Sequence, residues 1–130
     1  MAHPPMFDED DPLLHRLRAV ALALPDAAEK VSHGHPAFFT TKVFAYFGGS
    51  RRVDGAWESH EQALLVLPDP AEREALLHDP RVWVPAYLGP SGWLGLDLDA
   101  GSDWDEVAEL VETSYRRTAG VRRVRALDAR

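Results

Sequence analysis

The sequence predicts a two-layer α+β domain, with a mainly antiparallel sheet and helices on one side of it. Two observations point there. Three segments open on an aspartate cap and then carry apolar residues at helical spacing. Between these segments, short runs rich in aromatic and β-branched residues follow one another through turns. Strands joined by turns form hairpins and meanders rather than βαβ crossovers, which makes the sheet antiparallel. The expected order is α, three strands, α, two strands, α.

The first helix is expected from Pro12 to about Ala23. Asp11 supplies the cap, proline fits the first helical position, and Leu13, Leu17, Val20 and Leu24 recur on one face. Pro25 stops it. Glu29-Lys30-Val31-Ser32 has the character of a short edge strand. Phe38-Phe39-Thr40-Thr41 and Val43-Phe44-Ala45-Tyr46-Phe47 have strand composition. Gly48-Gly49-Ser50 reads as the start of a long polar turn that also holds Arg51, Arg52, Asp54 and Gly55. Ala63-Leu64-Leu65-Val66-Leu67 is a buried strand.

Asp69-Pro70 repeats the cap-plus-proline signal and opens a helix to about His78. Val82-Trp83-Val84 and Trp93-Leu94-Gly95-Leu96-Asp97-Leu98 form a hairpin across a turn at Gly89-Pro90-Ser91-Gly92. Ser102-Asp103 caps the last helix, with Glu106 placed for a capping box with Asp103. Gly120 is its end signal. Residues 1–10 are expected to form a mobile arm, 11–119 a single domain, and 120–130 an arginine-rich, solvated tail.

A chain of 130 residues suits one domain and buries enough apolar surface to fold without covalent staples. It contains no cysteine, which excludes disulfides, thiolate metal sites and cysteine nucleophiles. No apolar run reaches the roughly 18–20 residues of a membrane span. The N-terminus lacks the basic-then-apolar pattern of a leader. A soluble, cytoplasmic monomer with no membrane partner is therefore expected.

Charge is uneven. Residues 1–115 carry 8 basic and 20 acidic side chains, and residues 116–130 carry 6 arginines and 1 aspartate. An acidic body repels phosphate backbones, whereas an arginine-rich end attracts them. Basic side chains fall in three places: Lys42 at a strand start, Arg51 and Arg52 in the long turn, and Arg116, Arg117, Arg122, Arg123 and Arg125 at and after the last helix.

Catalytic patterns are missing. His33 and His35 are the one histidine pair with plausible spacing for a metal, and two ligands fall short of the three or four that a site needs. No serine sits in a nucleophile elbow, and no phosphate loop or dinucleotide fingerprint occurs. Asp97 and Asp99 share a strand face, where solvent is the expected environment. Trp83, Tyr87 and Trp93 are candidates for stacking on bases or a planar ligand, with core packing as the alternative.

Several motifs carry a resemblance. They are Gly34-His35-Pro36-Ala37-Phe38, Lys42-Val43-Phe44-Ala45, Val84-Pro85-Ala86-Tyr87, Gly92-Trp93-Leu94-Gly95-Leu96, Trp104, and Ser114-Tyr115-Arg116. In order and spacing, over residues 12–119, the chain resembles the MmcQ/YjbR family of small bacterial proteins. That resemblance implies the same two-layer fold, in an arrangement described as double-wing. It also implies a DNA-binding label with no accepted enzymatic activity or cofactor. DNA contact would then be weak and non-specific, with Arg51 and Arg52 on one wing and Lys42 and the C-terminal arginines adding phosphate contacts. The alternative is a module that binds a small ligand or protein partner near His35, Lys42, Trp93 and Tyr115, with no nucleic-acid role. No catalytic residue, metal or cofactor is expected on either reading.

Overall fold

A computed structural model of the chain describes residues 6–130. Helix α1 (Pro12–Ala21) begins where the Asp11 carboxylate accepts from the Leu13 N–H and proline fills the first turn. Four strands follow as a meander: β1 (Ala28–Ser32), β2 (His35–Phe39), β3 (Val43–Val53) and β4 (Ala56–Val66). Asp69 caps helix α2 (Pro70–Leu76) through the Ala71 N–H. Strands β5 (Val82–Trp83) and β6 (Leu94–Asp97) flank a loop that contains one 3₁₀ turn at Gly89–Ser91. Asp103 caps α3 (Trp104–Thr118) through the Asp105 and Glu106 N–H groups, and α4 (Val121–Asp128) follows.

The sheet is antiparallel, in the order β1-β2-β3-β4-β6-β5. On one face, Phe38, Phe44, Phe47, Leu64, Val66 and Leu96 pack against α1 and α3. Tyr115 of α3 is fully buried there. Its ring meets Phe44 edge-on at 5.3 Å, and its hydroxyl donates to the Pro25 carbonyl at 2.8 Å. Trp104 packs partly buried on the same cluster, beneath the Arg16 guanidinium. On the opposite face Ala63, Leu65, Trp83 and Trp93 form a smaller cluster, with Tyr46 and Leu88 against it.

The α+β class is as the sequence predicts; the element count is larger. Four strands, not three, precede α2. β2 begins earlier than expected, at His35, and Thr40 and Thr41 lie in the turn to β3. The stretch expected as a polar turn after Gly48 is instead a long hairpin: β3 and β4 stay paired out to Val53↔Ala56. Asp54 and Gly55 both have positive φ, 50° and 81°. A two-residue turn of that kind matches the twist of the strands, so it closes a hairpin without splaying it.

Residues 120–130, expected as a solvated end, are largely helical. Leu127 of α4 packs on the main core, and Arg123 pairs with Asp26 at 3.1 Å. Of the expected N-terminal arm, residues 1–5 lie outside the described residues. From Met6 onward the chain is tied down: the Met6 N–H donates to the Gly34 carbonyl at 2.8 Å, and Arg18 bridges Glu9 and Glu29.

Candidate functional site

The β3–β4 hairpin carries matched side chains across its two strands. Arg51 stands opposite Glu58, and Arg52 opposite Trp57. Arg51 and Glu58 form an ion pair at 2.8 Å. The Arg52 guanidinium lies over the Trp57 ring, 4.9 Å from its centroid, and donates to the Gly55 carbonyl at 2.7 Å. A guanidinium over an indole face is attractive by about 0.5–1 kcal/mol at an exposed site. It restrains Trp57, which is 50% exposed.

The loop after β5 brings a second ring to this place. The Ala86 N–H donates to the Ser50 carbonyl at 2.9 Å, and the Leu88 N–H to the Ala86 carbonyl at 2.7 Å. The latter bond closes a three-residue γ-turn centred on Tyr87, whose φ is +66°. A non-glycine residue held in that region costs on the order of 1–3 kcal/mol. Tyr87 recovers little by burial, being 84% exposed. Its ring lies 5.9 Å from that of Trp57, the planes 31° apart.

Nearer the sheet, His60 of β4 sits between two carboxylates. Its Nδ1 is 2.7 Å from Asp97 Oδ1 and its Nε2 is 2.6 Å from Glu58 Oε1. The ring stacks on Trp83 at 4.2 Å, and Trp83 Nε1–H donates to the same Asp97 oxygen at 2.9 Å. Carboxylates only accept, so a ring nitrogen that carries hydrogen donates to the carboxylate it faces. The hydrogen bond from His60, and then the one from Arg51, hold the Glu58 carboxyl below its usual range. Gly95 makes the stack possible. A Cβ there would lie 2.5 Å from Trp83 Cε2, so the indole lies directly on the strand backbone.

This cluster has the residue types of catalytic chemistry. Both nitrogens of His60 are occupied by carboxylates, and none is left to take a proton from a nucleophile. The chain Arg51–Glu58–His60–Asp97–Trp83 ties the hairpin to β6 and β5. Among the described residues, no group of three or more histidines, cysteines or carboxylates is placed to hold a metal ion.

The expected site residues fall in two distant groups. Arg51 and Arg52 are on the hairpin. Lys42 is exposed in the β2–β3 turn, at the other end of β3. Nine residue steps along β3 separate Lys42 from Arg51, about 30 Å at roughly 3.3 Å per residue. Arg123, which also reaches Thr41 Oγ1 at 3.2 Å, brings α4 beside Lys42. Arg122 and Arg125 are exposed on α4. Arg116 pairs with Glu112 and Asp128, and Arg117 donates to the Pro68 carbonyl.

The alternative ligand set does not converge. Tyr115 and Trp93 belong to clusters on opposite faces of the sheet. His35 is half-buried on β2 against the Gly48 backbone, and desolvation lowers its pKa. Of the three aromatic candidates for stacking, Trp83 and Trp93 are buried and Tyr87 alone is open. Asp97, expected in solvent, accepts from His60 and Trp83. Trp57 and His60 lie just beyond the stretch from Gly48 to Gly55 that reads as a turn, and the sequence assigns them no role. The signal for them was Asp54-Gly55 between two alternating runs. Elsewhere, a cleft of about 510 Å³ is lined by Phe7, Asp8, Asp11, Phe47, Ser59, Glu61 and Gln62. Its carboxylates make it unsuited to phosphate.

A family model described as YjbR matches residues 22–117. Among solved structures, the crystal structure of Deinococcus radiodurans protein DR2400, with the family-model domain DUF419, is similar to this chain. It is 21% identical with a TM-score of 0.58, over 78% of this chain and 75% of that chain. At that identity the likeness shows the fold. No curated protein matches the sequence.

Proposed function

The chain belongs to the YjbR family, and from that premise we propose that it is a non-enzymatic, DNA-associated protein whose contact surface is the β3–β4 hairpin. One observation carries this reading. Arg52, Trp57 and Tyr87 form a solvent-facing cluster of a cation and two aromatic rings, held in place by a closed hairpin and a strained turn. Cation and aromatic surface together suit nucleic acid, which offers phosphates and π-faces at once.

The His60 cluster favours a binding role over a catalytic one, because its imidazole is committed to Asp97 and Glu58. The charge balance sets the strength. An acidic body limits phosphate contact, so affinity is modest and insensitive to sequence. No element on this surface is a helix shaped for a major groove, so base-edge readout is not part of the reading. The alternative, a small-ligand module at His35, Lys42, Trp93 and Tyr115, has less support because those residues do not share a cavity.

The test is fluorescence anisotropy with labelled DNA, single-stranded and duplex, at about 50 mM salt. Binding of either form, weakened by Trp57→Ala, supports the proposal. Failure of both forms to bind overturns it.

A further inference from the structure

We propose that the hairpin surface takes unpaired bases, stacked on Tyr87 and Trp57, so that the ligand is single-stranded nucleic acid rather than duplex. This rests on the nucleic-acid reading above and sharpens it.

The first argument is the cost of presenting Tyr87. Its backbone sits at φ +66° in a tight γ-turn, a conformation that favours glycine. The turn is pinned on both sides, by Ala86 N–H to the Ser50 carbonyl and by Gly89 N–H to the Pro85 carbonyl. The outcome is a phenol ring pushed 84% into solvent. Packing does not account for a strained residue that buries so little, whereas a ligand that covers the ring does.

The second argument is shape. Trp57 and Tyr87 are 5.9 Å apart and inclined by 31°. A base inserted between two rings needs about 3.4 Å on each side, close to 7 Å in all, so the pair is too tight for a sandwich. A base adds instead to an open ring face and lengthens the stack. In a duplex those base faces are covered by their neighbours, and only an unpaired strand presents them.

The third argument is charge. Duplex binders neutralise many phosphates over a continuous surface. Here the nearby cations are Arg51, already paired with Glu58 at 2.8 Å, and Arg52, engaged by Trp57 and the Gly55 carbonyl. Asp54 and Glu61 add negative charge to the same hairpin. The remaining basic group, around Lys42 and α4, is about 30 Å away along β3. Stacking therefore supplies what ion pairing does not.

The experiment compares a labelled single strand of about 12 nucleotides, the RNA of the same sequence, and the DNA duplex, by anisotropy and by quenching of tryptophan fluorescence at about 100 mM salt. Single strand is expected to bind at least about tenfold more tightly than duplex. Tyr87→Gly removes the ring while suiting the turn, and Trp57→Phe keeps an aromatic face. Loss of one stacked base lowers affinity by about 5- to 150-fold, so Tyr87→Gly is expected to fall in that range and Trp57→Phe to lose far less. RNA binding as well as DNA binding supports the inference, since the bases and not the sugar are recognised. RNA binding alone supports it too, and moves the reading from DNA to RNA. Duplex binding as tight as single-strand binding overturns the inference and leaves the DNA reading standing. Unchanged affinity in a folded Tyr87→Gly variant overturns the inference. If no form binds, both fall.

Discussion

His60 lies on Trp83 with ring centroids 4.2 Å apart, and the two side chains bond to the same oxygen of Asp97. The stack joins the hairpin to the far edge of the sheet, because His60 is on β4, Asp97 on β6 and Trp83 on β5. Gly95 is the floor beneath it. Gly95→Ala puts a methyl against the indole, and a rigid ring pressed between a new Cβ and His60 has to move. Overpacking of this kind typically costs about 1–3 kcal/mol. We expect a lower urea midpoint and a shifted tryptophan emission. An unchanged midpoint and spectrum would show that Trp83 does not rest on Gly95.

Ser114 holds α3 to the sheet by a different means. Its hydroxyl donates to the Phe44 carbonyl and accepts from the Leu67 N–H at 2.9 Å, at a position with no solvent exposure. Ser114→Ala leaves a buried donor and a buried acceptor without this partner, and each such loss costs about 1–3 kcal/mol. A loss of roughly 2–6 kcal/mol is expected in chemical denaturation. Ser114→Thr keeps the hydroxyl but adds a methyl, so it tests packing separately. A neutral Ser114→Ala would mean that water replaces the hydroxyl.

The pH dependence of stability follows from His35. Desolvation holds its folded-state pKa below the usual 6.5. Between those two values the unfolded chain binds a proton that the folded chain does not, so stability falls as pH drops below about 6.5. Above 6.5 this contribution is fully present. Glu58 acts in a lower window. Its folded pKa lies below the usual 4.5, so its contribution persists above that value and is lost as pH falls further. Denaturant midpoints measured across this range should decline first near pH 6.5, and His35→Gln should remove that first decline. A curve flat to pH 5 in the parent would contradict the burial assigned to His35.

Helices α1, α2 and α3 and the α+β class were legible because their signals are local, whereas α4 has no side-chain cap and reads as a tail. Asp11-Pro12, Asp69-Pro70 and Asp103 are caps that act within one turn. The hairpin was less legible. Gly48 and Gly49 look like a turn, yet they mark a register shift in β3, and the real reversal is at Asp54-Gly55. The His60 cluster was not legible at all, since residues 58, 60, 83 and 97 meet only after β4, β6 and β5 pair. Tyr87 was marked for stacking from composition, but nothing local separated its exposed ring from the buried rings of Trp83 and Trp93.

The last prediction concerns salt, and it separates the two basic groups. If Lys42 and the arginines of α3 and α4 contact the strand along with Arg51 and Arg52, eight contacts at about 0.7 each give a log–log slope near −6 for single-stranded DNA. If the ligand sits on the hairpin, its two engaged cations give a slope no steeper than about −1.4. Screening keeps the distant group out of play, because about 30 Å along β3 is roughly three Debye lengths at 0.1 M salt. Arg122 and Arg125 are exposed on α4, so the double substitution Arg122→Gln with Arg125→Gln leaves Leu127 packed and Arg123 paired with Asp26. The variant is expected to match the parent in single-strand affinity and slope between about 50 and 200 mM salt. A slope shallower by about 1.4 would place phosphates on α4. The strand would then have to run the length of β3, because stacking at Tyr87 fixes its other end.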